Sequence, residues 1–173
     1  MCIRDRADGV VERLITLSET HSYELNSRVG DAFASMSDIV MSELDRRALK
    51  LEIMGDLELE VALGRAELSQ VLVQVVQNAA EASSKGGTIR LEASSSDEWI
   101  WISIEDDGHG VDEDIQSKIF DAFFTTRLER NASGLGLTIA RRMLTGVAGD
   151  ILLERRAHPT VLKLKLKSST PGE

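Results

Sequence analysis

The chain has 173 residues, of which 42% are hydrophobic and 28% charged, as is ordinary for one globular domain with a short appendage. Its net charge of −9 argues against nucleic-acid or acidic-membrane surfaces, so we expect no nucleic-acid partner and no membrane contact. One cysteine excludes an internal disulfide and a cysteine-based zinc site, and no apolar run is long enough to span a membrane. We therefore expect a cytoplasmic chain, although a longer parent protein could be membrane-anchored.

The first third of the sequence predicts a leader, two helices and two strands. Residues 1–6 (MCIRDR) show no recognisable secondary-structure pattern. We therefore expect a non-native leader and a chain that begins inside a longer protein. Residues 10–21 predict a short amphipathic helix, and residues 29–44 predict a longer one. Two short strands follow around a turn, at residues 49–53 and 57–62 with Gly55-Asp56 between them.

The next helix is predicted at residues 65–84 and is stopped by Gly86-Gly87. Beside its apolar stripe runs a polar one, formed by Gln70, Gln74, Asn78, Glu81 and Lys85. An amide beside a core stripe is costly unless a partner satisfies it. Two interpretations of Asn78 stay open: a buried asparagine bonded to a neighbouring loop, or a side chain whose carbonyl oxygen binds a metal ion carrying a nucleotide.

Residues 88–93 and 99–105 alternate between apolar and polar side chains, which predicts adjacent antiparallel strands. The second strand ends in EDDGHGV, and a period of two places Asp106 on the apolar side and Asp107 on the other. A buried carboxylate needs a partner, and Gly108 lets the backbone turn sharply beside it. Taken alone, the motif also fits a simple glycine turn in which Asp106 is a turn or cap residue.

A second glycine motif, SGLGLTIARRML, opens a helix predicted at residues 134–144. Glycines at a helix start favour an anion such as phosphate, although they also fit an ordinary loop-to-helix junction. Before this motif we predict a short helix at residues 112–119 and an irregular segment at 121–133. The three phenylalanines there fit either core packing or the anchor of a mobile nucleotide lid: Phe120, Phe123 and Phe124.

Residues 149–155 and 161–167 close the chain as a predicted hairpin, with leucines on its inner face and lysines on its outer face. The order of elements predicts an α+β fold. We expect a two-layer α/β sandwich with a mixed, mostly antiparallel sheet and helices on one face.

The order and spacing of these motifs resemble the ATP-binding catalytic domain of sensor histidine kinases of two-component systems. The resemblance covers roughly residues 49–167, and the implied Bergerat-type fold is shared with the other GHKL ATPases, such as gyrase, Hsp90 and MutL-type ATPases. Residues 70–82 resemble the N box, 106–110 the first glycine box, 120–127 the F box and 134–137 the second glycine box. The F box followed by TTR favours a histidine kinase, and NAAEA is similar to nitrogen- and oxygen-sensing kinases.

The resemblance implies ATP and Mg²⁺ as cofactors and a role for each matching residue. Asn78 would bind Mg²⁺ between the phosphates, with Gln74 as a second polar contact of the catalytic site. Asp106 would accept a hydrogen bond from the adenine amino group, which selects against guanine. The other implied nucleotide-binding residues are Gly108, Gly110, Phe120, Thr126, Gly134, Leu135, Gly136 and Leu137.

For the γ-phosphate, Arg127 is the catalytic candidate and Arg130 a second one, because phosphoryl transfer depends on positioning and charge neutralisation. The sequence also departs from the family pattern. Gln74 replaces an asparagine, Glu81 a lysine of some members, His109 a proline and Ala132 a lid glycine. We expect none of these changes to break the nucleotide site.

A histidine kinase also needs a phosphoacceptor histidine on a helical dimerisation hairpin. His109 and His158 lie in unsuitable places, and too few residues separate His21 from Asn78 to complete such a hairpin. We therefore expect residues 1–27 to be a leader and the tail of an upstream dimerisation helix. Residues 28–168 are then the catalytic domain, and residues 169–173 a C-terminal tail.

The predicted function is transfer of the ATP γ-phosphate to the upstream histidine. The implied partners are the phosphoacceptor hairpin of the parent kinase and a response-regulator receiver domain, and the isolated fragment should not autophosphorylate. Two alternatives stay open: an anti-sigma-type protein-serine kinase, and a nucleotide-sensing pseudokinase, to which Gln74, Glu81 and Ala132 point.

Overall fold

The core lies where the apolar stripes of three helices in the described chain meet one face of a five-stranded sheet, which confirms the predicted α+β sandwich. The structure, a computed structural model, describes residues 25–126 and 134–169. Helices α1–α3 are Val29–Arg46, Arg65–Ala82 and Gly136–Thr145, and a 3₁₀ turn spans Glu113–Ile115. Strands β1–β7 are Ser27–Arg28, Lys50–Gly55, Glu60–Val61, Thr88–Ser96, Trp99–Asp106, Asp150–Arg155 and Thr160–Lys167.

The five-stranded sheet is mixed and mostly antiparallel, as the sequence predicts. Its strand order is β2-β4-β5-β7-β6; β2 and β4 are parallel, and the other neighbouring pairs are antiparallel. Asp106, the last residue of β5, lies opposite Ile89 of β4 on one side and Thr160 of β7 on the other. The register therefore sets the carboxylate of Asp106 next to the start of β7.

Successive side chains point to opposite faces of the sheet, and only one face meets the helices. The isoleucines of β5 are buried against the helices, whereas Trp99 and Trp101 lie on the other face. There, the ammonium group of Lys165 lies 3.7 Å from the ring centroid of Trp99. Lysine side chains thus cover the aromatic surface that the helices leave open.

Helix α2 packs between α1 and α3 and forms the centre of the helical layer. Its apolar stripe is fully buried at Leu68, Val71, Leu72 and Val75, and each such side chain stabilises the fold by about 1.5–3 kcal/mol. The helix ends at Ala82, where Ser83 turns to an extended conformation and its hydroxyl donates to the carbonyl of Ala79. The polar stripe of α2 is left at the edge of this layer.

The two strands around Gly55 do not pair with each other. Strand β2 runs parallel to β4 as far as Gly55, whose φ of +86° and close approach to the backbone of Ala93 admit no side chain. The amide of Asp56 then donates to the carbonyl of Ala93, so the chain continues along β4 instead of folding back on β2.

Strand β3 instead pairs with β1, and this small sheet holds both ends of the described domain. Ser27 lies opposite Val61, and the amide of Ser169 donates to the carbonyl of Glu60 over 3.0 Å. Strand β3 thus ties together the segments at residues 27 and 169, close to the two ends of the described chain.

The predicted helix at residues 112–119 is reduced to the 3₁₀ turn and the turns that follow it. Hydrogen bonds there run from Lys118 to Ile115 and from Asp121 to Lys118, which is the three-residue spacing of tight turns. The helix predicted at residues 10–21 lies outside the described residues. Within the described ranges, none of the helices is both long and apolar enough to cross a membrane.

Candidate functional site

A cleft of about 390 Å³ opens beside the polar stripe of α2. One wall is the loop after β5, and another is the start of α3 with the turn that precedes it. Eight of the predicted site residues line the cleft: Gln74, Asn78, Asp106, Gly110, Thr126, Gly134, Gly136 and Leu137. Residues that are far apart in the sequence are thus brought into one concave site.

Asp106 is the buried charge of this cleft, with only 4% of its surface exposed. Its Oδ1 accepts the amide hydrogen of Gly108 over 2.9 Å, and its carboxylate accepts a hydrogen bond from the side chain of Thr160. Burial raises the pKa of Asp106, and these two hydrogen bonds only partly oppose that rise. A carboxylate that is shielded from water in this way forms strong hydrogen bonds with a donor group that enters the cleft.

Asp107 points the other way, as the strand alternation predicts. Its carboxylate accepts the amide hydrogen of Thr88 over 3.0 Å and lies 3.6 Å from the guanidinium of Arg90. Asp107 thus ties β5 to β4 on the side away from the cleft, and Asp106 is the residue of the pair that faces into it.

The two glycines after Asp106 are required by close contacts. A Cβ at position 108 would lie 2.5 Å from Oδ1 of Asp106 and 2.9 Å from the carbonyl oxygen of Ala82. Gly110 has a φ of +86°, and a Cβ there would lie 2.7 Å from the carbonyl oxygen of Arg156. Gly108 itself shapes the wall behind the cleft and does not line it.

The amides of α2 face the cleft from the helix edge. Gln74 and Asn78 are both half-buried lining residues. Among the residues that the structure describes, the Asn78 side chain has no hydrogen-bond partner. This arrangement argues against an asparagine bonded to a neighbouring loop and leaves its amide oxygen available to a ligand.

The opposite wall is built by Gly134 and Gly136. Gly134 has a φ of +64°, its carbonyl accepts the amide hydrogen of Phe123 over 3.0 Å, and a Cβ there would lie 2.6 Å from the carbonyl carbon of Phe123. Gly136 is the first residue of α3 and lies against the amide oxygen of Gln74. The helix therefore begins at the cleft, where its N-terminus favours an anion.

The phenylalanines have three different environments. Phe120 packs against α3, where its carbonyl accepts the hydroxyl of Thr138 and its ring lies 4.8 Å from the guanidinium carbon of Arg141. Phe124 lines the cleft, whereas Phe123 is 75% exposed with a φ of +66°. Phe120 thus positions the turn rather than lining the site.

The remaining predicted residues differ in outcome. Leu135 precedes α3 as its N-terminal cap residue and does not line the cleft. Arg127, Arg130 and Ala132 lie outside the described residues. Thr160 was not among the predicted site residues, although β7 places it beside Asp106. Its sequence signal is weak, because Asp106 directly follows one predicted strand and Thr160 directly precedes another.

Comparison with known proteins gives the same assignment. Residues 64–170 match the family described as histidine kinase-, DNA gyrase B-, and HSP90-like ATPase. The signal transduction histidine-protein kinase AtoS of Escherichia coli strain K12 is 31% identical over 151 residues, which cover 85% of this chain and 24% of AtoS. The sensory histidine kinase/phosphatase NtrB of Azospirillum brasilense is 25% identical over 178 residues, which cover 94% of this chain and 44% of NtrB.

The chain therefore spans about a quarter of the length of AtoS and less than half of NtrB. Among solved structures, the catalytic domain of histidine kinase ThkA matches with a TM-score of 0.74 at 24% identity, over 83% of this chain and 94% of that domain. This likeness shows a shared fold. With the family match over more than half of the sequence, the chain belongs to the histidine kinase-, DNA gyrase B- and HSP90-like ATPases, as an ATP-binding domain of the sensor histidine kinase type.

Proposed function

We propose that the chain binds ATP with Mg²⁺ in this cleft and transfers the γ-phosphate to a histidine on a dimerisation hairpin, as the catalytic domain of a sensor histidine kinase. One observation carries the proposal: the same cleft joins a buried carboxylate, Asp106, to a helix N-terminus opened by Gly136. A nucleotide needs both environments, one for its base and one for its phosphates.

The spacing along α2 supports this fit. Ala82 contacts the glycine loop near Asp106, whereas Gln74 contacts the start of α3. These two positions are separated by about 12 Å along the helix axis, since an α-helix rises about 1.5 Å per residue. The two environments are thus far enough apart for a base and a triphosphate chain, and the cleft volume is in the range of small-ligand sites.

At the base end, we assign adenine recognition to Asp106. A carboxylate can accept several hydrogen bonds, and Gly108 and Thr160 leave acceptor capacity for the exocyclic amino group of adenine. Guanine presents a carbonyl oxygen at that position and would face the carboxylate unfavourably. Burial of Asp106 strengthens both effects because little water screens them.

At the phosphate end, we assign the contacts to Gly134, Gly136 and the first turn of α3. The first N–H groups of a helix have no partner within the helix, and the helix dipole favours a negative charge there. Both glycines line the cleft and carry no side chain, so their backbone is open to a ligand there. Arg127 and Arg130 remain our candidates for contacts with the γ-phosphate.

We assign the metal contact to the amide oxygen of Asn78. The described residues contain no group of three or more His, Cys, Asp or Glu side chains placed to hold an ion. Mg²⁺ commonly takes one or two protein oxygens and completes its coordination with phosphates and water, which suits one amide here. When bound, it neutralises charge on the phosphates during transfer.

We propose that the acceptor histidine lies on the dimerisation hairpin of the parent kinase and is none of the three histidines of this chain. Of the histidines that the structure describes, His109 lines the cleft and His158 lies in the loop between β6 and β7, so neither is on a helix. A receiver domain is the proposed downstream partner. A histidine kinase with this fold, ThkA, was solved in complex with the response regulator protein TrrA.

The proposal is tested by supplying the dimerisation hairpin of the parent kinase as a separate protein, with γ-labelled ATP. We expect slow labelling of the hairpin, proportional to its concentration, because cutting the tether lowers the effective concentration without touching the ATP site. The label should be acid-labile and base-stable, as phosphohistidine is, and the chain alone should stay unlabelled.

Three outcomes would contradict this proposal. Self-labelling that disappears in His21→Ala would place the acceptor within this chain. Acid-stable label on a serine substrate would favour the anti-sigma-type kinase. Tight ATP binding without transfer to the hairpin would leave a nucleotide-sensing pseudokinase.

A further inference from the structure

The loop that joins β6 to β7 packs directly on the loop that follows β5, residues 107–111, which contains Gly108 and Gly110 and is called the glycine loop. Four contacts connect the β6–β7 hairpin to the segment from Asp106 to Glu113, and each has a different chemistry. The amide of Val111 donates to the carbonyl of Arg156 over 2.7 Å, Nδ1 of His158 lies 3.0 Å from the carbonyl oxygen of Gly108, Thr160 hydrogen-bonds Asp106, and Arg156 lies 3.5 Å from Glu113. The glycine loop is thus held along its length by one hairpin.

The contact between His158 and Gly108 determines which ring nitrogen of the imidazole carries a hydrogen. A carbonyl oxygen can only accept, so Nδ1 of His158 must carry the hydrogen. Neutral His158 is therefore the Nδ1–H tautomer, with Nε2 left as an acceptor. An asparagine side chain offers an N–H donor at nearly the same position as Nδ1, whereas alanine offers none.

This contact holds the middle of the glycine loop from the side of the β6–β7 hairpin. Asp106 binds the N–H of Gly108, and Arg156 binds the N–H of Val111. Between them lie the peptides that join Gly108 to His109 and His109 to Gly110, and His158 binds the carbonyl of Gly108. Gly108 also forms a β-bridge with Ser83, so the end of α2 and His158 hold this residue from two sides. Because glycine restricts its neighbouring peptides little, loss of the His158 contact would let the peptide after Gly108 populate more orientations.

His109 and Gly110, which follow this peptide, both line the cleft, whereas His158 does not. We propose that His158 is a positioning residue for nucleotide binding, which acts by donating its Nδ1 hydrogen to the carbonyl of Gly108 and so holds the cleft wall beside Asp106 in its binding shape. This inference rests on the proposed nucleotide function of the cleft.

The test compares four proteins by calorimetric titration with Mg-ADP: wild type, His158→Ala, His158→Asn and Glu154→Gln. The last is a matched control, because Glu154 lies in the same hairpin and pairs with Lys163, away from the glycine loop. His158→Ala should bind about two- to tenfold more weakly, the effect of one ordinary hydrogen bond. His158→Asn should recover most of the affinity, and Glu154→Gln should bind like wild type.

Two further readouts separate positioning from general stability. All four proteins should have similar melting temperatures, because His158 is an exposed side chain. The ¹⁵N spectrum of neutral His158 should show the Nδ1–H tautomer.

Equal affinity of wild type and His158→Ala, failure of His158→Asn to restore binding, or an Nε2–H tautomer would each overturn the inference while the proposed function stands. No binding of Mg-ADP by wild type would overturn both.

Discussion

The amide oxygen of Gln74 lies at the point where α2 meets the start of α3, and a Cβ at position 136 would be only 2.9 Å from it. The contact with Gln74 on α2 is therefore one reason for a glycine at position 136, in addition to any contact with a ligand. The contact joins the polar stripe of α2 to the helix N-terminus that we assign to phosphate. It also gives the glutamine that replaces the family's asparagine a structural role.

This contact predicts coupling between positions 74 and 136. Alanine is less costly to order in a helix than glycine, but Gly136→Ala forces the Gln74 side chain to move. We expect Gly136→Ala to be more favourable in a Gln74→Ala background than in wild type, by about 0.5–1 kcal/mol. Urea denaturation of the four proteins measures this difference, and strict additivity would show that the two side chains do not interact.

Gly134 and Gly86 make a matched pair for a second prediction. Both have a positive φ, but a Cβ at Gly134 would meet the backbone of Phe123 and Phe124 at 2.6–2.7 Å, whereas none of the described atoms lies within 4 Å of one at Gly86. Gly86→Ala should cost about 1–2 kcal/mol from the left-handed backbone alone. Gly134→Ala should cost about 1–3 kcal/mol more, because backbone must shift. Equal costs in urea denaturation would contradict the packing of Gly134.

The metal role of Asn78 predicts that ATP binding depends on a divalent ion. A fluorescent ATP analogue should bind wild type tightly with Mg²⁺ and weakly with EDTA. Asn78→Ala should bind weakly in both conditions, because the ion loses its protein ligand. Equal affinity in all four titrations would exclude the metal role.

Asp106→Asn should weaken ATP binding by about ten- to a hundredfold, since one charge-assisted hydrogen bond contributes about 1.5–3 kcal/mol. Asp107→Asn is the control, because Asp107 faces Thr88 and Arg90 instead of the cleft. Competition with unlabelled ATP measures both. Greater damage from Asp107→Asn would show that Asp106 is not the adenine contact.

The raised pKa of Asp106 also predicts how stability depends on pH. A carboxyl whose folded pKa is raised stabilises the fold fully below its unfolded pKa, and that stabilisation is lost as the pH rises through the folded pKa. Asp106→Asn should therefore melt at a higher temperature than wild type at neutral pH, and the advantage should shrink as the pH falls from the raised pKa of Asp106 through the ordinary carboxyl range. A constant difference at every pH would contradict the buried charge.

Features encoded by local periodicity could be predicted from the sequence. The alternation of β5 was enough to place Asp106 inward, and the apolar stripe of α2 was enough to place Asn78 at its edge. Both inferences depend only on the spacing of apolar residues within one strand or one helix. They needed no knowledge of how elements pair.

Features set by pairing over long sequence distances could not be predicted in the same way. Gly55 and Asp56 suggest a local turn, yet β2 pairs with β4, and the backbone of Ala93 lies too close to Gly55 for a side chain there. Thr160 reaches Asp106 only because β7 is the neighbour of β5. The contact of Gln74 with Gly136 likewise requires the packing of two helices.

A crystal structure with a non-hydrolysable ATP analogue and Mn²⁺, whose anomalous signal locates the ion, is the decisive test of the proposed nucleotide site. We predict the adenine amino group within hydrogen-bond distance of Asp106, the phosphates at Gly134 and Gly136, and the ion on the amide oxygen of Asn78. A nucleotide bound outside this cleft, or in the cleft with its base at Gly136 and its phosphates at Asp106, would show that these residues do not have the assigned roles.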